Sequence, residues 1–174
     1  MKRFLLNNGS EYSYEQLLAS LNESDKYYLL YKQLDLYFFF VNLIKALANN
    51  APLVLLDADL NETEIDGVNV AEINVPTKIV STTFVNMEAV VEAVKNSTSE
   101  ITIFTSGTTG QPKKVVHCVQ TLMRAVRFGE KYINQVWAYA YNPTHMAGLQ
   151  VFFQAFMNLN FLVNVFNKLS LIHI

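Results

Sequence analysis

The chain has 174 residues, which is enough for one domain with a sizeable core. Hydrophobic residues make up 51% and charged residues 16%, a globular composition that excludes a disordered chain. The formal net charge of −2 gives no basic excess that would suggest nucleic acid, so any phosphate binding must come from local geometry. The single cysteine, Cys118, allows no internal disulfide and fits a reducing cytoplasm; it is expected to be a small buried residue of a strand.

Two short helices are predicted near the N-terminus, over Tyr12–Leu21 and Asp25–Lys32. A stronger helix is predicted over Leu36–Ala48, which is apolar on most of its faces. The apolar run Leu53–Asp57 has the length and continuity of a parallel strand buried on both sides. The acidic segment Asp57–Asp66 lacks the glycine and the terminal glutamate of an EF-hand, so a solvated loop is the simpler interpretation than a Ca²⁺ site.

Strands and helices alternate through the rest of the chain. The predicted segments are, in order, short strands within Val68–Thr83, a helix over Val85–Asn96, strands over Glu100–Phe104 and Lys114–Cys118, a helix over Val119–Ile133, a strand over Val136–Tyr141, a helix over Met146–Met157 and a strand over Phe161–Phe166. The helix over 119–133 would carry a solvated basic stripe of Arg124, Arg127 and Lys131. This order indicates an α/β fold, a layered and largely parallel sheet with helices on both faces. The apolar stretch 34–56 is interrupted by charged residues, asparagines and a proline, which excludes a membrane span.

The segment Thr105–Lys113, TSGTTGQPK, is the most specific feature of the sequence. It holds four hydroxyl side chains and two glycines, followed by Pro112 and the lysine. Glycines let the backbone approach an anion, hydroxyls and N–H groups donate to its oxygens, and a lysine adds positive charge. The segment therefore has the chemistry of a loop that binds a polyphosphate.

The flanking sequence distinguishes between kinds of phosphate loop. A Walker loop requires G-x-x-x-x-G-K-[ST] running into a helix, whereas here the glycines are three residues apart and a strand is predicted next. The dinucleotide turn G-x-G-x-x-G is absent too. A Ser/Thr/Gly-rich surface turn is the common source of such a composition, but it does not explain the positions of Pro112 and Lys113.

Residues Phe104–Val115, FTSGTTGQPKKV, resemble the signature phosphate loop of the adenylate-forming superfamily, with Lys114 where that family usually has glycine. Acyl-CoA synthetases, peptide-synthetase adenylation domains and luciferases belong to this superfamily. The resemblance implies that the hydroxyls donate to ATP phosphates, that the glycines permit close approach and that Lys113 has a catalytic, electrostatic role. The ATP-binding residues that it implies are Thr105, Ser106, Gly107, Thr108, Thr109, Gly110 and Lys113.

A second segment, Ala140–Leu149, AYNPTHMAGL, resembles the next motif of the same superfamily. It implies that His145 is a catalytic and substrate-binding residue near the carboxylate being activated. It also implies that Gly148 opens a helix lining the acyl pocket. A lone histidine in a loop is more often a surface residue or a helix cap, but its spacing after the phosphate loop favours function. Both motifs follow predicted strands, and ligands bind beyond the carboxyl ends of such strands.

The resemblance implies a reaction in two steps that uses ATP, Mg²⁺ and coenzyme A. A small-molecule carboxylic acid is converted to an acyl-adenylate, and a thiol then takes the acyl group. The superfamily's later motifs are absent, so residues 1–174 are expected to be an incomplete N-terminal domain, inactive alone, of a cytoplasmic acid–CoA ligase. The compact front end resembles O-succinylbenzoate–CoA ligases of menaquinone biosynthesis. The alternatives are a non-catalytic or degenerate nucleotide-binding protein and an adenylating ligase with a carrier-protein acceptor.

Overall fold

A computed structural model describes residues 1–32, 35–61, 63, 65, 67–105 and 112–166. The strands in these ranges are β1 (Arg3–Asn7), β2 (Ser10–Ser13), β3 (Lys26–Tyr28), β4 (Leu30–Tyr31), β5 (Leu53–Leu55), β6 (Pro76–Lys78), β7 (Glu100–Thr105), β8 (Lys113–Cys118), β9 (Val136–Tyr139) and β10 (Phe161–Asn164). The helices are α1 (Tyr14–Asn22), α2 (Leu36–Ala48), α3 (Met87–Lys95), α4 (Val119–Met123) and α5 (Met146–Phe156). The predicted α/β class is confirmed. None of the helices in these ranges is long and apolar enough to cross a bilayer.

The strands form two larger sheets and one small one. The first sheet has the order β2-β1-β10-β9, the second sheet has the order β4-β5-β7-β8, and β3 pairs with β6. Each larger sheet consists of three parallel strands and one antiparallel edge strand, β2 in the first and β8 in the second. The largely parallel sheet predicted from the sequence is therefore divided in two, and each half has its own edge hairpin.

The first hairpin, β1–β2, is absent from the sequence prediction. Asn8 and Gly9 connect the two strands with φ angles of 50° and 86°. Positive φ at both central residues defines the type I′ turn, and Asn-Gly is its strongest sequence signal. The helix expected from Tyr12 consequently begins at Tyr14, where Ser13 and Gln16 form a capping box.

The helix predicted over Asp25–Lys32 is wrong, because this segment forms β3 and β4. The side chain of Asn42 on α2 bonds to the backbone of Tyr28 twice, accepting from its N–H at 2.8 Å and donating to its carbonyl at 3.0 Å. Since these bonds take up backbone groups that a helix would pair internally, a contact with α2 overrides the local preference.

The helix predicted over Val119–Ile133 is also wrong beyond its first five residues, which form α4. Gln154 on α5 accepts from the backbone N–H of Arg127 at 2.7 Å and donates to its carbonyl at 3.0 Å. Gly129 has a φ of 120°, which no helix permits. The basic stripe predicted along this helix, Arg124, Arg127 and Lys131, therefore does not form.

Cys118 is exposed rather than buried, because it ends the edge strand β8. Its Sγ lies 3.1 Å from Thr121 Oγ1. This hydrogen bond lowers the pKa of the thiol.

The core is centred on α2, whose bounds agree with the prediction. Phe40 on this helix is fully buried. Its ring lies 6.0 Å from that of Phe4 on β1, 5.4 Å from that of Tyr139 on β9 and 4.4 Å from that of Phe152 on α5. One aromatic side chain of α2 thus contacts both the first sheet and α5.

Candidate functional site

The phosphate-loop segment lies at the tip of the second hairpin, β7–β8. The two strands pair along their whole length, from Glu100 opposite Cys118 to Thr105 opposite Lys113. The ends of the loop are therefore held together by a regular antiparallel ladder. The loop residues predicted to bind phosphate, Ser106, Gly107, Thr108, Thr109 and Gly110, lie outside the described residues, and their role stays a prediction.

Thr105 and Lys113 stand on either side of the loop entrance. Directly opposed residues of an antiparallel pair point to the same face, with Cβ atoms about 5 Å apart. Both side chains are exposed, and Lys113 forms no ion pair with the part of the chain that the structure describes. The neighbouring Lys114 points to the opposite face, because side chains alternate along a strand.

Asp57 lies at the same edge of the second sheet. β5 and β7 are parallel neighbours, and Leu56 and Phe104 belong to one small buried cluster. Asp57 directly follows Leu56 in the chain, and Thr105 directly follows Phe104. Both therefore follow the same apolar cluster at the carboxyl edge of the sheet.

The carboxylate of Asp57 holds the turn that carries His145. Asp57 Oδ2 lies 3.0 Å from His145 Nε2 and accepts a hydrogen bond from Asn142 Nδ2 at 2.7 Å. The Asp57 side chain is only 14% exposed, so the solvated-loop interpretation is wrong for this residue, whereas His145 is 55% exposed. Since this turn follows β9 of the first sheet, Asp57 connects the carboxyl edges of both sheets.

Asn142 organises this turn. Its Oδ1 accepts from the N–H and the hydroxyl of Thr144, at 3.0 and 2.8 Å, and its main-chain oxygen accepts from the N–H of His145 at 3.2 Å. These bonds place His145 immediately before the first residue of α5. Sequence reasoning missed both Asn142 and Asp57. The Asn142-Pro143 dipeptide, which favours turn initiation, was the available signal for the first.

Gly148 lies in the first turn of α5 and is buried against the same turn. A Cβ at this position would overlap the main-chain carbonyl of Asn142 and would lie 2.9 Å from the hydroxyl of Tyr139. Only a glycine lets α5 approach the turn this closely. A substrate-binding role for Gly148 and His145 stays a prediction.

A cavity of about 180 Å³ opens beside this turn. Its walls include Asp57 and Asn142, together with Tyr139 at the end of β9 and Asn164 at the end of β10. Polar side chains from both sheets thus surround one space at the edge where parallel sheets bind their ligands.

No family model matches the sequence, and no curated protein matches it. Solved structures do match. O-Succinylbenzoate coenzyme A synthetase (MenE) from Bacillus subtilis, in complex with AMP, has a TM-score of 0.57 at 15% identity, with 97% of this chain and 55% of that chain covered. E. coli MenE with an OSB-AMS analogue has a TM-score of 0.62 at 14% identity, with 93% and 42% covered. The N-terminal subdomain of Klebsiella oxytoca NpsA, with 3-hydroxyanthranilyl-AMSN, has a TM-score of 0.59 at 13% identity, with 94% and 49% covered.

The chain therefore has the fold of the N-terminal domain of adenylate-forming enzymes. At 13 to 15% identity, the similarity is in the fold and not in the sequence. The resemblance indicated by the phosphate-loop sequence is confirmed at this level. The chain spans about half the length of the structures that it matches.

Proposed function

We propose that the chain is part of an ATP-dependent ligase that activates a carboxylic acid as an acyl-adenylate. The observation that carries the proposal is the position of TSGTTGQPK between β7 and β8 of this fold, at the edge that Asp57 shares with His145. A carboxylate oxygen attacks the α-phosphorus of ATP, the bond to the β-phosphate oxygen breaks, and pyrophosphate leaves. A thiol then attacks the acyl carbon and AMP leaves. Such chemistry depends mainly on positioning and on stabilising negative charge.

The residues of the β7–β8 loop have the chemistry to hold the β- and γ-phosphates. Hydroxyl and backbone N–H groups of residues 105–110 donate to the phosphate oxygens, and Lys113 compensates their charge. Among the described residues, no three His, Cys, Asp or Glu side chains are grouped to hold a metal ion. Mg²⁺ would be held by phosphate oxygens of ATP and by water, with one or two carboxylates, as is usual for this ion.

His145 is proposed to contact the carboxylate being activated, with Asp57 as its positioning residue. A carboxylate that accepts from one imidazole nitrogen restricts rotation of the ring, so that the other nitrogen points in a defined direction. His145 is more than half exposed, whereas Asp57 is largely covered. The imidazole of His145 is therefore accessible to a ligand, while the covered carboxylate of Asp57 holds it in place.

Coenzyme A is the proposed thiol acceptor, and a carrier protein is the alternative. o-Succinylbenzoate, and with it a place in menaquinone biosynthesis, is the first acid to test, because two of the similar structures are o-succinylbenzoate synthetases. The test is ATP–pyrophosphate exchange by the product of the complete reading frame, across a panel of carboxylic acids. Exchange that requires one acid supports the proposal. ATP binding without exchange for any acid would instead support a non-catalytic nucleotide-binding protein.

The 174 residues by themselves are expected to form no acyl-CoA, because they span about half the length of the ligases with this fold. Thioester formation from ATP, coenzyme A and an acid is the measurement, with the complete reading frame as the positive control. Acyl-CoA formation by the 174 residues alone would contradict this expectation.

Replacing Lys113 by alanine is expected to weaken ATP binding about tenfold or more in the complete protein. A hydrogen bond to a charged group contributes about 1.5 to 3 kcal/mol, which corresponds to a factor of ten to a hundred. Lys114→Ala is the matched control, because it removes the same charge from the opposite face of β8 and should change the Kd less than about twofold. Equal effects of the two substitutions on the Kd for ATP would refute a local role for Lys113.

A further inference from the structure

A buried lysine on α2, Lys45, lines a second cavity that the proposed reaction does not use. This cavity has a volume of about 290 Å³ and lies between α2, the end of α1 and the small β3–β6 sheet. It shares no lining residue with the cavity beside His145. Both cavities border α2, but Leu36 at the start of this helix and Lys45 in its last turn are about 13 Å apart along the axis. The two spaces are therefore separate.

The ammonium group of Lys45 has no counter-ion in the part of the chain that the structure describes. The residue is only 5% exposed, although its side chain ends in a charge. Its Nζ donates to the main-chain oxygen and to the hydroxyl oxygen of Ser24, at 3.1 and 3.3 Å. Both acceptors are neutral, and an ammonium has three N–H donors, so at least one remains unused. No carboxylate of the described residues lies within 4 Å of this nitrogen.

The acidic residues on either side of Ser24 do not supply the missing counter-ion. Glu23 and Asp25 are exposed, so water and salt screen their carboxylates. Asp25 Oδ2 lies 3.9 Å from Lys78 Nζ instead. Burial lowers the pKa of Lys45, and the opposing effect of the two carboxylates does not outweigh it. Because a buried charge is costly unless it is paired, the uncompensated ammonium points to an anionic occupant of the cavity.

Aromatic side chains line the same cavity. On α2, Phe38 and Lys45 are two turns apart and lie on one face of the helix, with Val41 between them. Phe38 is 56% exposed, which leaves a large apolar surface uncovered beside the cavity. The rings of Tyr28 and Tyr31, also on the wall, pack with their centroids 5.5 Å apart and 28° between their planes. A ligand that neutralises Lys45 would therefore also meet flat apolar surfaces.

We propose that this cavity binds a small monocarboxylate with a flat apolar body, whose carboxylate accepts a hydrogen bond from Lys45 while its body packs against Tyr28 and Phe38. The volume of about 290 Å³ exceeds the roughly 150 Å³ of an engineered cavity that binds benzene, so one six-membered ring with a carboxylate fits. A single negative charge is favoured over a phosphate dianion, because Glu23 is also on the wall. Neither the site nor its ligand depends on the proposed function.

Titration calorimetry of the complete protein with benzoate and benzamide tests the ionic contact, because the two probes have the same shape and differ in charge. Benzoate should bind about tenfold more tightly than benzamide, since hydrogen bonds between charged groups are the stronger kind. Phenylphosphonate, which carries more negative charge, should bind more weakly than benzoate. Equal binding of benzoate and benzamide, or tighter binding of phenylphosphonate, would overturn the proposal.

Lys45→Met keeps an unbranched side chain and removes the charge. This variant should lose the preference for benzoate, while its affinity for benzamide stays within about twofold of the wild type. Lys95→Met is the matched control, because it removes an exposed lysine of α3 that does not line the cavity, and it should keep the tenfold preference. A preference for benzoate that persists in Lys45→Met would refute the assignment to Lys45.

His145→Ala distinguishes this cavity from the candidate site, which under the proposed function also receives a carboxylic acid. The preference for benzoate should survive this substitution. A preference that disappears in His145→Ala and persists in Lys45→Met would assign the binding to the candidate site, and the proposal would fail. Binding that depends on Lys45, in a complete protein that shows no pyrophosphate exchange with any acid, would retain this cavity and reject the ligase.

Thermal unfolding provides a second readout. Lys45→Met removes a buried charge that lacks a counter-ion, and Ser24 is exposed, so water replaces the two lost hydrogen bonds. The Tm of the ligand-free variant should therefore equal or exceed that of the wild type, and benzoate should raise the Tm of the wild type alone. A clear fall in the Tm of the ligand-free variant would show that Ser24 already satisfies the ammonium, which contradicts the proposal.

Discussion

Gly148→Ala is expected to lower the free energy of unfolding by about 3 kcal/mol, at the upper end of the range for overpacking a close-packed site. For a chain of this length, the loss corresponds to a fall in Tm of about 6 to 12 °C. The added methyl would overlap the main-chain carbonyl of Asn142, and a carbonyl cannot move aside as the end of a flexible side chain can. Either α5 or the turn that carries His145 must shift.

The sign of this effect makes the test decisive. In an exposed helix, replacing glycine by alanine stabilises by about 1 kcal/mol, because alanine has the higher helix propensity. A stabilised Gly148→Ala protein would therefore show that α5 does not press against the turn. Ala147→Ser is the matched control, since it adds one atom at the exposed neighbouring position and should change stability by less than about 0.5 kcal/mol. Thermal unfolding followed by circular dichroism measures both variants.

If the chain belongs to a ligase as proposed, Asp57→Ala is expected to lower kcat for adenylation about a hundredfold in the complete protein, while the KM for ATP stays within about twofold. The substitution removes the acceptor that holds Asn142 and His145, at 2.7 and 3.0 Å. Misplacement of a reacting group by about 1 Å is enough to cost a factor of this size. ATP binding should persist because the proposed function places it at the β7–β8 loop rather than at this turn.

Two comparisons separate positioning from general loss of structure. Asp59→Ala removes an exposed carboxylate from the same loop and should leave kcat nearly unchanged. If Asp57 acts through His145, the double variant with His145→Ala should be no slower than His145→Ala alone, because residues that act as a unit are not additive. Fully additive losses in kcat would contradict the positioning role.

The elements predicted correctly are those with a strong internal signal. Leu36–Ala48 is apolar on most faces and forms α2 with these bounds. The apolar run Leu53–Asp57 contains the parallel strand β5, and Glu100–Phe104, which is rich in β-forming residues, lies within the parallel strand β7. Apolar residues in such segments are buried whichever other segment of the chain covers them. Their assignment therefore needed no knowledge of the rest of the chain.

The elements predicted wrongly are those whose backbone is held by a distant side chain. Tyr28 is bonded by Asn42 of α2, and Arg127 is bonded by Gln154 of α5. Local pattern favoured a helix in both places. The side-chain hydrogen bonds that exclude it exist only after the helices have packed.

For the candidate site, the sequence by itself determined the contiguous motifs. TSGTTGQPK and the segment with His145 and Gly148 are recognisable because the spacing of their residues along the chain carries the chemistry. Only the tertiary structure placed Asp57, 85 residues before Asn142, against the second of these motifs. The physical reason is that a hydrogen bond acts over about 3 Å in space, so a pairing between two sheets has no trace in local sequence.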